Sequence, residues 1–325
     1  MKKVNLPLVN THSHASMVAF RGMAEDLPLW EWLEKYIWPA EAKKVNPRFV
    51  YENTKKAIRE MRANSIELFA DMYFFPDQVA RAAKEMKMSV LVGEGLIDFP
   101  TPSAKNFDEG LKITEDLLKK YKDDKLVKIS VNPHSIYTVS KENLIKAKKL
   151  ADKYKAPIHI HLSETKKEFD DCQRQHGLTP TEYLDKLGLL GPRTILAHCV
   201  WMTDKDLDIV AKRKSSVAHC PLSNLKLGSG IAPVAKMIAK GINVTLGTDG
   251  AASSNRLDIF EAGKFAALLQ KGMSYDPTQL PAKKVFEMMS VNGMKALGFK
   301  KIGKKSVQDI QKNIDNIKDY SFLYN

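Results

Sequence analysis

Short apolar runs rich in Val, Ile and Leu alternate along the chain with longer amphipathic stretches. Apolar runs of about four to eight residues are typical of buried strands, and apolar positions spaced three and four apart are typical of helices. Helical spacing is clear in Pro76–Met86 and Lys141–Tyr154. The runs predict strands at about Leu8–Thr11, Ser65–Asp71, Ser89–Leu96, Val127–Asn132, Pro157–Leu162, Thr194–His198, Ser216–His219 and Asn243–Thr248.

Strands that alternate with helices favour a parallel sheet with both faces covered, and eight such units favour an α/β fold closed into a (β/α)8 barrel of the TIM type. A long insertion, roughly Ala15–Asn64, separates the first two strands and is dense in aromatic residues. A long loop after a barrel strand is where a substrate lid is built. A helix packed on the barrel mouth explains the aromatics equally well.

Two more helices are predicted after the eighth strand, at about 257–271 and 281–297. No linker rich in Gly, Ser or Pro divides the sequence, and no internal repeat is visible. We therefore predict a catalytic barrel over residues 1–299, followed by a polar, lysine-rich tail over 300–325 with room for one short helix.

Composition and charge exclude several classes of protein. No apolar run approaches the ~20 residues that span a bilayer, and the N-terminus lacks the apolar core of a signal peptide, so we expect a cytoplasmic protein with no membrane partner. Three cysteines without a CxxC pair suit a reducing compartment. The net charge of +13 is spread over lysine pairs interleaved with acids, so no nucleic-acid partner is expected. The oligomeric state stays open, and a homo-oligomer is compatible with the sequence.

Polar residues gather where the predicted strands end. His12 and His14 follow the first strand, His161 ends the fifth and Asp249 follows the eighth. These strand ends share one face of a barrel, where imidazoles and a carboxylate would bind a divalent metal and leave a position open for water. We predict one metal ion, with zinc the first choice and iron, nickel or manganese as alternatives. His159 fits equally well by spacing, and we assign His161 because it lies nearer the strand end.

Seven sequence blocks, in order over most of the predicted barrel, resemble the amidohydrolase superfamily. Within that superfamily they resemble the 5'-methylthioadenosine/S-adenosylhomocysteine deaminases and their chlorohydrolase relatives. The blocks are LVNTHSHASM (Leu8–Met17), WPAE (Trp38–Glu41), NPHSIYTVS (Asn132–Ser140), HIHLSET (His159–Thr165), LAHCV (Leu196–Val200), SNLKLGSGIAP (Ser223–Pro233) and LGTDGAASSNRLD (Leu246–Asp258).

The resemblance implies a catalytic role for three residues. Asp249, besides matching a metal ligand together with His12, His14 and His161, accepts a proton from the attacking water. Glu164 matches the acid that protonates the ring nitrogen next to the reacting carbon, and His198 the residue that orients the water. Considered alone, Glu164 could equally be a capping or surface acid.

Two further residues match substrate contacts of the family. Glu41 matches the acid that holds the ribose hydroxyls, and His134 a histidine that contacts the substrate. Considered alone, Glu41 could be an exposed acid at a helix start. The implied activity is hydrolysis of an adenosine-type nucleoside (5'-methylthioadenosine, 5'-deoxyadenosine, adenosine or S-adenosylhomocysteine) to its inosine analogue and ammonia. The alternatives are an amidohydrolase of another aminated or chlorinated heterocycle, such as guanine, a pterin or a triazine, and an inactive barrel that acts as a binding protein.

The sequence departs from the family in two places. The first strand begins within ten residues of Met1, and the tail lacks the usual lead into returning strands, so we expect the family's β-sandwich to be absent or rudimentary. Glu94 stands where relatives that take S-adenosylhomocysteine carry arginines after the third strand. Because an acid there would repel a substrate carboxylate, we expect neutral 5'-substituents to be preferred.

Overall fold

The computed structural model describes residues 6–324, in which strands and helices alternate as the apolar pattern predicts. The predicted bounds of the strands are met within two residues, except that the fourth is split in two. The strands are β1 (Leu8–Asn10), β2 (Ile66–Tyr73), β3 (Ser89–Leu96), β4 (Val127–Ile129), β5 (Asn132–Pro133), β6 (Ile158–Leu162), β7 (Thr194–His198), β8 (Ser216–His219), β9 (Asn243–Leu246), β10 (Lys301–Ile302) and β11 (Lys305–Ser306).

Side-chain caps fix where many helices begin. Thr179 and Thr203 form reciprocal capping boxes with Glu182 and Asp206, and Asn106 accepts a hydrogen bond from a backbone N–H of the first turn. The helices are α1 (Leu29–Trp32), α2 (Trp38–Lys44), α3 (Pro47–Ala63), α4 (Pro76–Glu85), α5 (Phe107–Lys120), α6 (Lys141–Tyr154), α7 (Lys166–His176), α8 (Pro180–Lys186), α9 (Asp204–Arg213), α10 (Pro221–Lys226), α11 (Val234–Ala239), α12 (Ala251–Ser254), α13 (Ile259–Ser274), α14 (Ala282–Met289), α15 (Val291–Ala296) and α16 (Val307–Asp315).

Two parallel sheets build the barrel. One contains β1 to β4 in order, with β5 beside β3, and the other contains β6 to β9 in order. Backbone hydrogen bonds join the sheets at both edges, from Val131 N to Pro157 O (2.9 Å) and from Thr11 N to Leu246 O (3.0 Å). The first strand therefore lies beside the last, and the predicted (β/α)8 barrel is confirmed.

Burial of the strands explains why their sequences are continuously apolar. β3, β6, β7 and β8 are buried at every position, because helices cover the outer face and side chains fill the barrel interior. Their carboxyl ends form one edge of the barrel. That edge is where His161, His198 and His219 lie, each at or next to the end of its strand.

The insertion between β1 and β2 covers the barrel mouth. It holds a 3-10 helix (Ala15–Phe20) and then a continuous helix in which a π-helical turn (Leu33–Ile37) joins α1 to α2. The ring of Trp30 contacts Tyr137 at 4.7 Å between centroids, and Trp38 contacts Phe99 at 5.3 Å. These contacts tie the insertion to loops that follow two other strands. It is a helical cover for the mouth, as the second interpretation of its aromatics predicts, and a role as a substrate lid stays a prediction.

The last part of the described chain packs on the outside of the barrel. The segment predicted as one helix over 281–297 is two helices, α14 and α15, since Ser290 leaves the helical conformation and its hydroxyl donates to Phe286 O (2.6 Å). In α16, Ile310 and Ile314 are fully buried. β10 and β11 form a two-stranded hairpin, and within residues 6–324 no β-sandwich accompanies the barrel. The domain boundary at residue 299 stays a prediction.

Candidate active site

His12 and His14 are held in place by the neighbouring strand β2. Ser13, between them, donates its hydroxyl to Ala70 O (2.7 Å), and the Ala15 N–H donates to the buried Asp71 carboxylate (2.5 Å). His14 donates its Nδ1–H to a backbone carbonyl at the end of β2. Both histidines therefore have a fixed orientation, with the Nε2 of His14 directed toward the barrel axis.

His161 and His159, which spacing alone could not separate, have different partners. His161 lies at the end of β6, where its Nδ1–H donates to His134 O (2.8 Å) and its ring lines the pocket at the barrel mouth. His159 is fully buried, with its Nε2 3.0 Å from the Nδ1 of His12. His159 thus contacts one predicted ligand from behind, whereas His161 faces the same space as the other predicted ligands.

Asp249 completes the group from the other side of the barrel. It follows β9 with a left-handed backbone (φ 62°), which turns its carboxylate toward the histidines. Its Oδ1 lies 3.1 Å from His14 Nε2 and 3.5 Å from His12 Nε2, and its Oδ2 accepts hydrogen bonds from Ser223 (2.5 Å) and Ser253 (2.9 Å). Although burial alone would raise its pKa, these histidines hold the pKa of Asp249 well below its usual range. The carboxylate is therefore ionised at neutral pH.

The donor atoms of this group suit a divalent cation. Ligand atoms of His12, His14 and Asp249 lie within 4.8 Å of one another, as do those of His12, His161 and His198. His12 Nε2 is buried without a hydrogen-bond partner, which is costly unless an ion or a proton donor occupies the adjacent space. Burial lowers the pKa of His12 to about 4, so its ring is neutral, as a metal ligand must be.

Glu164 and His198 lie beside this group. The Nε2 of His198 is 3.8 Å from a carboxylate oxygen of Glu164, and its Nδ1–H donates to Asn224 Oδ1 (2.8 Å). This hydrogen bond leaves Nε2 as the acceptor that faces the pocket. Glu164 is 4% exposed, and burial raises its pKa, which favours a carboxyl that can donate a proton.

Glu41 and His134 line the same pocket. Glu41 is buried in α2, where it accepts a hydrogen bond from the Tyr73 hydroxyl (2.7 Å), and burial raises its pKa to about 7. His134 contacts Thr138 through Nδ1 (2.9 Å), so its other ring nitrogen is free to face the pocket. The remaining wall is apolar, and none of the lining residues in the described chain is Lys or Arg. The apolar lining comprises Met17, Leu29, Trp32, Leu33, Ile37, Trp38, Met72, Phe74, Ile97 and Leu227.

Seven of the eight predicted site residues line one pocket, and the eighth, His12, lies beside them with its Nε2 3.5 Å from Asp249 Oδ1. It also adds residues that sequence reasoning missed, including Tyr73, Asn224 and Glu168, whose partners lie far apart in sequence or behind the pocket wall. The expectation that Glu94 faces the substrate is wrong. Its side chain lies outside the pocket, beside Gly110 of α5, and accepts a hydrogen bond from the Ser103 hydroxyl. Successive side chains of a strand point to opposite faces, so it is Gly95 that lines the pocket.

Residues 7–307 match the amidohydrolase family. The chain is 49% identical to 5-methylthioadenosine/S-adenosylhomocysteine deaminase from Thermodesulfovibrio yellowstonii over 293 residues, which are 90% of this chain and 67% of that protein. It is 47% identical to 5'-deoxyadenosine deaminase from Methanothermobacter thermautotrophicus over 294 residues, which are 90% of this chain and 68% of that protein.

Similarity extends to solved structures. A crystal structure of an adenosine deaminase from Xanthomonas campestris with bound zinc superposes with a TM-score of 0.90 at 39% identity, covering 93% of this chain and 69% of that one. Within residues 6–324, no helix is both long and apolar enough to cross a membrane. The resemblance seen in the sequence blocks is confirmed: this chain belongs to the amidohydrolase family.

Proposed function

We propose that this protein is a metal-dependent deaminase of adenosine-type nucleosides. The observation that carries the proposal is that one pocket combines a group of histidines around an ionised carboxylate, a buried acid beside His198 and a second buried acid in α2. The first two suit hydrolysis of a C–N bond, and the third suits a sugar. The names of the relatives at 49% and 47% identity support the same conclusion.

The metal is proposed to be zinc. His12, His14, His161 and Asp249 would hold it, and His198 lies beside this group. A divalent cation lowers the pKa of a bound water from 15.7 to about 7 and so supplies a nucleophile at neutral pH. The bound zinc in the Xanthomonas campestris structure supports this choice.

Three residues of this chain would move or hold the protons. The ionised carboxylate of Asp249 accepts the proton that the attacking water loses. Glu164, whose raised pKa favours the protonated form, donates to the ring nitrogen next to the carbon that bears the amine. The Nε2 of His198, fixed as an acceptor by Asn224, orients the water. Asp249 then returns its proton to the amine, which leaves as ammonia, while the hydroxyl proton passes to Glu164, and the product is the inosine analogue.

Glu41 and His134 would bind the sugar. The second carboxylate oxygen of Glu41 is available for the ribose hydroxyls while the first accepts from Tyr73. A buried acid has a high need for donors, and two vicinal hydroxyls supply them. A nucleoside therefore satisfies this end of the pocket better than a bare base does.

The apolar wall favours neutral 5'-substituents. S-adenosylhomocysteine carries a charged amino-acid group, which needs polar partners when it leaves water. The pocket offers no Lys or Arg among its described lining residues, and Lys105, in the loop between β3 and α5, is not among them. We expect 5'-methylthioadenosine, 5'-deoxyadenosine and adenosine to be preferred over S-adenosylhomocysteine.

An ultraviolet assay of adenosine-to-inosine conversion tests the function with these four nucleosides and with guanine. Glu164→Gln is the matched control, since it keeps the shape of the side chain and removes the acid. We expect conversion by the metal-loaded protein and a loss of about 10² to 10⁴-fold in the variant. Bound metal without conversion of any adenosine would contradict the proposal, and a preference for S-adenosylhomocysteine would contradict its specificity.

A further inference from the structure

Glu168 departs from the capping pattern used elsewhere in the chain. In α8 and α9, the acid at the third helical position accepts the backbone N–H of the capping residue, from Thr179 to Glu182 (2.9 Å) and from Thr203 to Asp206 (2.8 Å). Glu168 occupies the same position in α7, after its cap Thr165. Its carboxylate does not accept the backbone N–H of Thr165. It accepts hydrogen bonds from the backbone N–H groups of the two residues before Thr165.

Those two residues are Ser163 and Glu164. The N–H of Ser163 donates to one oxygen of Glu168 (2.9 Å), and the N–H of Glu164 donates to the other (2.8 Å). Ser163 has a left-handed backbone (φ 50°), and its carbonyl accepts from the N–H groups of Val200 and Trp201, both at 2.9 Å. The peptide that carries Glu164 is thus fixed on both sides in a conformation that serine rarely adopts.

Burial makes this arrangement costly for the fold. Glu168 is 2% exposed, no Lys or Arg of the described chain contacts it, and burial raises its pKa to about 7. An ordinary capping box at the helix surface would stabilise α7 without placing an acid in the interior, as Glu182 does for α8. Asp206 is also fully buried in its capping box, so burial alone does not set Glu168 apart. What sets it apart is its pair of partners, the backbone N–H groups of Ser163 and Glu164.

We propose that Glu168 is a positioning residue that aims Glu164 at the substrate. This inference rests on the proposed deaminase function. By binding both N–H groups, Glu168 fixes the Cα of Glu164 and so the direction in which its carboxyl enters the pocket. Misplacement of a catalytic group by about 1 Å can lower a rate ~10²-fold, so the effect is expected on kcat rather than on binding.

The test compares Glu168→Ala and Glu168→Gln with Glu182→Ala, which removes an ordinary capping box. For each variant, kcat, KM, metal content and Tm are measured with the best adenosine substrate. We expect Glu168→Ala to lower kcat about 10 to 100-fold, with KM within about 3-fold and metal content unchanged. Glu168→Gln keeps one acceptor oxygen and is expected to lose less. Glu182→Ala is expected to lower Tm while kcat stays within about 2-fold.

Equal kcat values for the two alanine variants would overturn the inference. Hydrogen exchange of the peptide covering 162–165 provides a readout that does not depend on activity, since loss of Glu168 is expected to speed exchange at Ser163 and Glu164. Unchanged exchange would also overturn it. If the wild-type protein converts no adenosine, the proposed function fails by itself, and exchange still decides whether Glu168 holds this loop. Should Glu168→Ala not fold, Glu168→Gln carries the comparison.

Discussion

Replacing Glu94 with glutamine is predicted to make the protein more stable at high pH. Glu94 is fully buried in β3, its Oε1 accepts from the Ser103 hydroxyl, and its Oε2 has no hydrogen-bond partner. Burial raises its pKa from 4.5 to about 8. The folded protein therefore keeps a proton on Glu94 at pH values where the unfolded chain has released it.

The sign and size of the effect follow from this difference. Below pH 4.5 the carboxyl is protonated in both states, and as the pH rises toward 8 the free energy of unfolding falls, because only the unfolded state gains from ionisation. Each pH unit in this window corresponds to about 1.4 kcal/mol. Glutamine does not ionise, so the variant lacks this dependence of stability on pH. Between pH 5 and pH 8 its stability relative to wild type should rise by on the order of 4 kcal/mol.

Urea denaturation of both proteins at pH 5, 6, 7 and 8 measures this difference, and effects of the metal site cancel because both proteins share it. A difference that stays constant with pH would refute the reasoning, since it would mean that water reaches Glu94. The same variant checks the location of its side chain. The ratio of kcat/KM for 5'-methylthioadenosine to that for S-adenosylhomocysteine should be unchanged, because Glu94 does not line the pocket.

Three further predictions concern the metal site. His159→Phe removes the hydrogen bond to His12 and should lower zinc affinity about 10 to 100-fold, measured by competition with a chromogenic chelator. Gly247→Ala places a Cβ 2.8 Å from the Cβ of His12 and 2.9 Å from the Sγ of Cys220. It should therefore lower the free energy of unfolding, measured by urea denaturation, by ~1–3 kcal/mol. The control Gly191→Ala, where the added Cβ meets open space, should change little. Dialysis against a chelator should abolish deamination and lower Tm, and zinc should restore both; activity that survives metal removal would contradict the proposed site.

The strands could be predicted because a barrel buries them on both faces. Thr194–His198 and Ser216–His219 have the bounds that the sequence predicted, and both strands are buried at every position. The fourth strand was not predicted to split. The carbonyl of Ser130 lies 2.4 Å from where a Cβ on Gly93 would be, a close approach between strands that periodicity does not encode.

The convergence of the candidate metal ligands could be predicted for a similar reason. Parallel strands end at one face, so histidines at strand ends converge whatever the details of the loops. The supporting contacts could not be predicted. His159 and His161 have the same spacing relative to β6, and only the packing of His12 behind the pocket wall distinguishes them. Glu94 and Gly95 are adjacent in β3, and an error of one residue in the predicted register of the strand reverses which of them faces the pocket.

The location of the candidate metal ligands links the site to closure of the barrel. His12 follows the first strand and Asp249 the last, and the Asp249 N–H donates to His12 O (3.0 Å) across the seam between them. This pair is separated by more than 200 residues, so the two sides of the candidate site come together when the first strand meets the last. A cation that binds only the folded state stabilises that state by mass action. Metal binding and closure of the first strand against the last should therefore be coupled, and the two histidines at the start of the sequence serve both.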